Sequence, residues 1–166
     1  MHKFVHIEPQ HYDFVNHLYL KYQKYLEDDF NQDTLAGLIC RTSPFCWLII
    51  DECNSCAGFV YLDNIIGNNN NLYSAEITTC FHPDYWGKFT KICALDFIDI
   101  CFNYFQFSKL KVLVYPQNFR VTNLIKTCGF EKEALLVAET VKNGLPQNIE
   151  VYSLLKEKYK ERKNEY

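Results

Sequence analysis

The stretch from Leu110 to Phe130 constrains this chain more than any other. It opens with LKVLVY, Leu110 to Tyr115, a short and nearly continuous apolar run of the kind found in strands covered on both faces. Asn118 then offers a side-chain oxygen to an orphan N–H of a first helical turn. Val121, Leu124, Ile125 and Cys128 recur at helical spacing, and Gly129 supplies the left-handed residue that ends a helix. Apolar, strand-forming residues resume after Phe130, so the centre of the chain is a strand–helix–strand unit and the protein mixes sheet with helix.

The flanking sequence extends this order. Residues 9–28 carry Phe14, Val15, Leu18, Tyr19, Tyr22 and Leu26 at helical spacing, and a second helix spans Thr34 to Cys40. Phe45–Ile50, a turn over Asp51–Ser55 and Ala57–Leu62 read as a strand hairpin. The asparagines at 68–71 read as a loop or a tight hairpin connection. Tyr73–Phe81 is a strand stopped by His82-Pro83-Asp84, and Phe89–Phe105 is a long buried helix. Residues 130–141 and 148–155 are strands joined through Asn143-Gly144. A length of 166 residues with 48% hydrophobic content suits one domain, set here at 1–157, followed by a frayed charged tail at 158–166 where Lys and Glu interleave.

Charge and cysteine usage exclude several classes. A net charge of -3 and a pI of about 5.9 give no basic excess for nucleic acid. No apolar run reaches the roughly 18 residues of a membrane helix. Residues 1–10 lack the apolar core of a signal peptide, so the protein is expected in the cytoplasm, with its eight cysteines expected as thiols. Cys53 and Cys56 form a lone CxxC without a second ligand pair at zinc spacing, so no metal site is expected.

Three segments carry a family resemblance. NFRVTNLIKTCGF, Asn118 to Phe130, resembles the signature of the GNAT acyltransferases, with Gly129-Phe130 eleven residues after the Asn and Val121 at the small-residue position. AEITTCFHPDYWGK, Ala75 to Lys88, and the ending GFEKEALL, NG, IEVYSLLKEKY resemble the RimJ/RimL-type branch of that family. The resemblance implies the GNAT fold, an α/β (α+β mixed sheet) protein with a central, mostly antiparallel sheet flanked by helices.

It also implies acetyl-coenzyme A as co-substrate. The pyrophosphate would meet the loop Trp86-Gly87-Lys88-Phe89-Thr90-Lys91, because a helix N-terminus presents free N–H groups and a positive dipole end. The family loop reads Arg/Gln-x-x-Gly-x-Gly/Ala. Here Trp86 replaces the Arg or Gln, Phe89 the first Gly and Lys91 the last small residue, with Lys88, Lys91 and the Thr90 hydroxyl available to compensate. A backbone N–H at Cys80 or Phe81 would polarise the thioester carbonyl, and Asn118 and Asn123 would reach the pantetheine arm.

Glu76 is the candidate general base, acting through a water, and His82 is the next. The tyrosine that many GNAT enzymes place seven residues after the Asn is Ile125 here; Tyr85, Tyr115 and Tyr152 are the phenols available instead. The reading is an N-acetyltransferase acting by direct attack of a primary amine, either a protein N-terminus or a small amine, as a monomer or homodimer. Its alternative is an inactive GNAT-fold binding or assembly protein, which the altered loop and the missing tyrosine permit.

Overall fold

The computed structural model describes residues 2–30, 33–68 and 71–164. Along the chain it forms β1 (Lys3–His6), α1 (Tyr12–Leu26), α2 (Leu35–Thr42), β2 (Cys46–Ile50), β3 (Cys56–Asn68), β4 (Asn71–Phe81), α3 (Lys88–Asn103), β5 (Lys109–Val114), α4 (Phe119–Cys128), β6 (Glu131–Lys142), β7 (Leu145–Leu155) and α5 (Lys156–Asn164). Single 3-10 turns lie at Pro9–His11 and Pro83–Tyr85. The strands hydrogen-bond in the order β1-β2-β3-β4-β5-β7-β6. β4–β5 is parallel, whereas β1–β2, β2–β3, β5–β7 and β6–β7 are antiparallel. This is the mixed, mostly antiparallel sheet that the sequence implies.

The chain divides into two compact units. The first comprises residues 1–63 and 77–90. Its core packs Val15, Leu18 and Tyr19 of α1 and Leu38 of α2 against Leu48, Phe59, Tyr61 and Cys80 of the strands. Burying each large side chain of this kind contributes about 1.5–3 kcal/mol. Thr34 caps α2 by accepting from Gly37 N–H at 3.1 Å. Gly58 is buried on β3, where a Cβ would stand 2.3 Å from the Cys80 carbonyl oxygen.

The second unit comprises residues 64–76 and 91–166. Phe97, Ile98, Cys101 and Phe102 of α3 and Ile125 and Cys128 of α4 are buried, as are Leu110, Val112 and Val114 of β5 and Tyr152 and Leu154 of β7. β6 and β7 meet at Asn143-Gly144, both at positive φ (52° and 73°), the mirror-image turn that favours Asn-Gly. α4 starts at an Asn118 cap and stops at Gly129, whose φ of 97° suits glycine.

Sequence reading and structure differ at the ends of the chain. β1 is too short for a periodic signal, yet its register with β2 runs from Lys3↔Ile50 to His6↔Trp47. Residues 158–164, part of the stretch 158–166 expected as a frayed charged tail, belong to α5 instead. Tyr159 is buried, its ring centroid 5.3 Å from that of Phe102, and Lys163 pairs with Asp99 of α3. One ring and a few ion pairs hold a helix whose apolar pattern is nearly absent. β3 ends at Asn68 and β4 starts at Asn71, within the stretch expected as a loop or a tight hairpin connection; Asn69 and Asn70 lie outside the described residues.

Candidate functional site

In the second unit, β4 and β5 pair in parallel at Ser74↔Lys109, Ala75↔Leu110 and Glu76↔Lys111. Glu76 is therefore on the last paired rung. Its Oε1 lies 2.8 Å from Lys111 Nζ and its Oε2 accepts from Asn64 Nδ2 at 2.8 Å. The two partners hold the carboxylate in one orientation. No sequence signal points to Lys111 or Asn64, because only strand register brings them to Glu76.

Asn118 accepts from Val121 N–H through Oδ1 at 3.5 Å and also receives Thr122 N–H on its backbone oxygen. It is half-buried at the head of α4, whereas Asn123 is exposed on the same helix. Ile125 is buried and carries no proton to give. Tyr152 donates to Glu150 Oε2 at 3.0 Å, and burial, then that carboxylate, raises its pKa.

In the first unit, β4 ends at Phe81 and His82 follows. His82 Nδ1 accepts from Asp84 N–H at 3.4 Å, and the ring faces Phe14 with centroids 6.5 Å apart. The Trp86 indole N–H donates back to the Phe81 carbonyl at 3.2 Å, joining two residues that the resemblance assigns to the cofactor. Thr90 is buried and its hydroxyl donates to the Tyr85 carbonyl at 2.7 Å, so its proton is spent within the loop. Phe89 turns onto Tyr85 at 4.9 Å and His2 at 5.9 Å between centroids. Tyr85 itself donates to Asp51 Oδ2 at 2.8 Å; burial, then that carboxylate, pushes its pKa to about 12.

Gly87 has φ 100°, and nothing lies within 4 Å of where its Cβ would stand, so space is left just before the first turn of α3. Lys88 and Lys91 are exposed and make no ion pair among the described residues. The Lys88 ammonium and the space beside Gly87 fit an anionic group, even without the family's glycines.

Cys80 is buried, with Sγ 3.9 Å from the Leu18 carbonyl, and burial pushes its pKa to about 12. A thiol so held supplies almost no thiolate near neutral pH, which argues against a covalent acyl-cysteine. Burial likewise raises Cys46 to about 11 and Cys93 to about 12, whereas Cys40 and Cys53 are exposed. Iodoacetamide at a pH of about 7.5 should therefore label Cys40 and Cys53 in the folded protein. Cys46, Cys80 and Cys93 should react only after unfolding, as peptide mass spectrometry would report. Among the described residues, no cluster of three or more His, Cys, Asp or Glu could hold a metal ion, and no helix is long and apolar enough to cross a membrane.

No curated protein matches the chain in sequence. A spermidine N-acetyltransferase from Vibrio cholerae, solved with CoA and spermine, is similar in structure at TM-score 0.80 and 24% identity, over 95% of this chain and 97% of that one. A chimera of the Vibrio cholerae SpeG enzyme and hSSAT gives TM-score 0.79 at 24% identity, again over 95% and 97%. SpeG in complex with manganese ions gives TM-score 0.74 at 21% identity, over 97% and 96%. These likenesses show the fold. The family profile described as Acetyltransferase (GNAT) domain matches residues 8–131, well over half of the chain. This match places the chain in the GNAT acetyltransferase family, as an acyl-coenzyme A-dependent N-acetyltransferase whose co-substrate is acetyl-coenzyme A.

Proposed function

We propose that the protein acetylates a primary amine by direct attack, and that it belongs to the RimJ/RimL-like branch. We assign the acyltransferase domain to residues 1–157, with α5 continuing from it and packed on α3 through Tyr159 and Lys163. When bound, acetyl-coenzyme A supplies the activated acyl carbon; the chain supplies orientation, proton removal and charge. Glu76 is the base, acting through a water while Asn64 and Lys111 hold it in place, and His82 is the second candidate. Cys80 and Phe81 act through their backbone. Gly87, Lys88, Phe89, Thr90 and Lys91 form the anion-binding turn, where Thr90 contributes its N–H rather than its committed hydroxyl. Asn118 and Asn123 face the pantetheine arm.

The observation that carries the acceptor reading is the division of charge. The first unit holds ten Asp and Glu against five Lys and Arg, a net charge of -5. The second holds twelve Lys and Arg against ten Asp and Glu, a net charge of +2. The N-terminal residues expected on the acceptor side belong to the acidic unit. An acidic surface attracts a cationic amine and repels an acidic one. A small amine is therefore favoured over an arbitrary protein N-terminus, in keeping with the spermine bound by the Vibrio cholerae enzyme.

Calorimetry tests the cofactor half of this reading. Acetyl-coenzyme A should bind in the micromolar range, and Asn118→Ala should weaken binding by about tenfold, the loss of one good hydrogen bond. Asn118→Ser retains a helix cap and separates this effect from the roughly 1 kcal/mol of capping. No binding at millimolar cofactor would remove the acetyl-transfer reading.

A further inference from the structure

One side chain organises the turn between β2 and β3. Asp51 Oδ1 accepts from the Cys53 N–H at 2.9 Å and the Ser55 N–H at 2.8 Å, while the Asp51 N–H donates to the Ser55 carbonyl at 3.0 Å. The short carboxylate of Asp suits such a closed turn. Oδ2 is left for a group outside the turn, and the Tyr85 hydroxyl donates to it at 2.8 Å. The bonds that the carboxylate accepts, from Ser55 first and then Tyr85, hold its pKa below the usual range, so it is charged near neutral pH. Tyr85 is the point from which the loop to α3 departs. Its N–H donates to the His82 carbonyl at 3.0 Å, its carbonyl accepts the Thr90 hydroxyl at 2.7 Å, and its ring meets Phe89 at 4.9 Å between centroids. The arc from Trp86 to Phe89 therefore begins at Tyr85 and is closed back onto it, and all of these groups belong to the first unit.

We propose that Asp51 is a positioning residue for acetyl-coenzyme A binding, acting through Tyr85: the β2–β3 turn braces the loop that leads into α3, so the loop holds its binding shape before the cofactor arrives. A loop ordered in advance pays less ordering entropy on binding, which raises affinity without adding a contact. A hydrogen bond to a carboxylate that is itself anchored on backbone N–H groups is stronger than a neutral one and suits this task. Phe89, which replaces the family's glycine, packs on the braced ring, so the brace and the altered residue act on the same segment. The proton of Tyr85 is spent on Asp51, which makes this phenol a structural anchor and not the acid that protonates the leaving thiolate. The proposal rests on the acetyltransferase reading and adds to it a residue that touches neither substrate.

Tyr85→Phe removes the hydroxyl and keeps the ring. It should raise the calorimetric Kd for acetyl-coenzyme A about tenfold, while kcat at saturating acetyl-coenzyme A, with spermidine as the amine, stays within about twofold of wild type. Asp51→Ala should also weaken binding, and the double variant should bind no more weakly than Asp51→Ala alone, because both changes remove one interaction. Should circular dichroism show that Asp51→Ala does not fold, Asp51→Asn, which keeps an acceptor for the turn, takes its place in the cycle. A fall in kcat on Tyr85→Phe with unchanged Kd would overturn the proposal and make Tyr85 the acid. Unchanged values, or fully additive effects in the double variant, would overturn it as well. Hydrogen exchange without cofactor reads the brace directly. The Tyr85 and Trp86 amides, bonded to the His82 and Pro83 carbonyls at 3.0 and 3.1 Å, should exchange about tenfold faster in Tyr85→Phe, and unchanged protection would refute the brace. Failure of acetyl-coenzyme A to bind the wild type would sink the acetyltransferase reading by itself, and exchange would still decide whether Asp51 braces the loop.

Discussion

A Gly58→Ala variant should lose about 3 kcal/mol of stability, the upper part of the range for overpacking a core. Its melting temperature should drop by roughly 9 °C for a chain of this size. Gly58 is buried on β3, and an added Cβ would lie 2.3 Å from the Cys80 carbonyl oxygen and 3.0 Å from Phe81 Cα. Both obstacles are backbone, so no side chain can swing away to make room. Relief requires the strand carrying Cys80 and Phe81 to move. Those residues lead directly to His82, whose N–H donates to the Ala57 carbonyl at 2.8 Å, so the movement would disturb the end of β4 as well. Thermal and urea unfolding would measure the effect. An unchanged melting temperature would mean that the two backbones separate at little cost and that Gly58 is not a packing requirement.

Glu76→Gln should lower kcat by about a hundredfold, the low end for removal of a general base, with the Kd for acetyl-coenzyme A unchanged. Gln preserves the shape of the side chain and its bond to Asn64 or Lys111, but removes the charge. Stability should change far less than kcat, because the Glu76 and Lys111 side chains retain 15% and 22% exposure and such pairs are partly screened. Steady-state kinetics at saturating acetyl-coenzyme A, set beside a melting curve, would separate the two effects. Retention of full kcat by a stable Glu76→Gln protein would reduce Glu76 to a cross-strand ion pair and pass the base to His82.

Local chemistry made much of the fold legible. The Asn118 cap, the Gly129 terminator and the Asn143-Gly144 turn each announce themselves through one or two residues, and each stands where the sequence places it. α5 was not legible because Tyr159 is its main buried contact and the apolar period has nothing else to repeat. The candidate site was legible as residue types but not as partners. Glu76 and Lys111 are brought together by parallel register between β4 and β5, over a separation that no local pattern spans. The Trp86 substitution was visible in the sequence, yet its meaning depends on where the single indole N–H points, which only tertiary structure decides.

The uneven division of charge bears on turnover. Acetylation turns an ammonium into a neutral amide, so the amine leaves with one positive charge fewer than it brought. On the proposed acceptor reading, a unit of net charge -5 would hold the incoming amine more tightly than the acetylated one. On that reading the acidity that would gather the substrate would also weaken the grip on product, and would limit product inhibition as the acetylated amine accumulates.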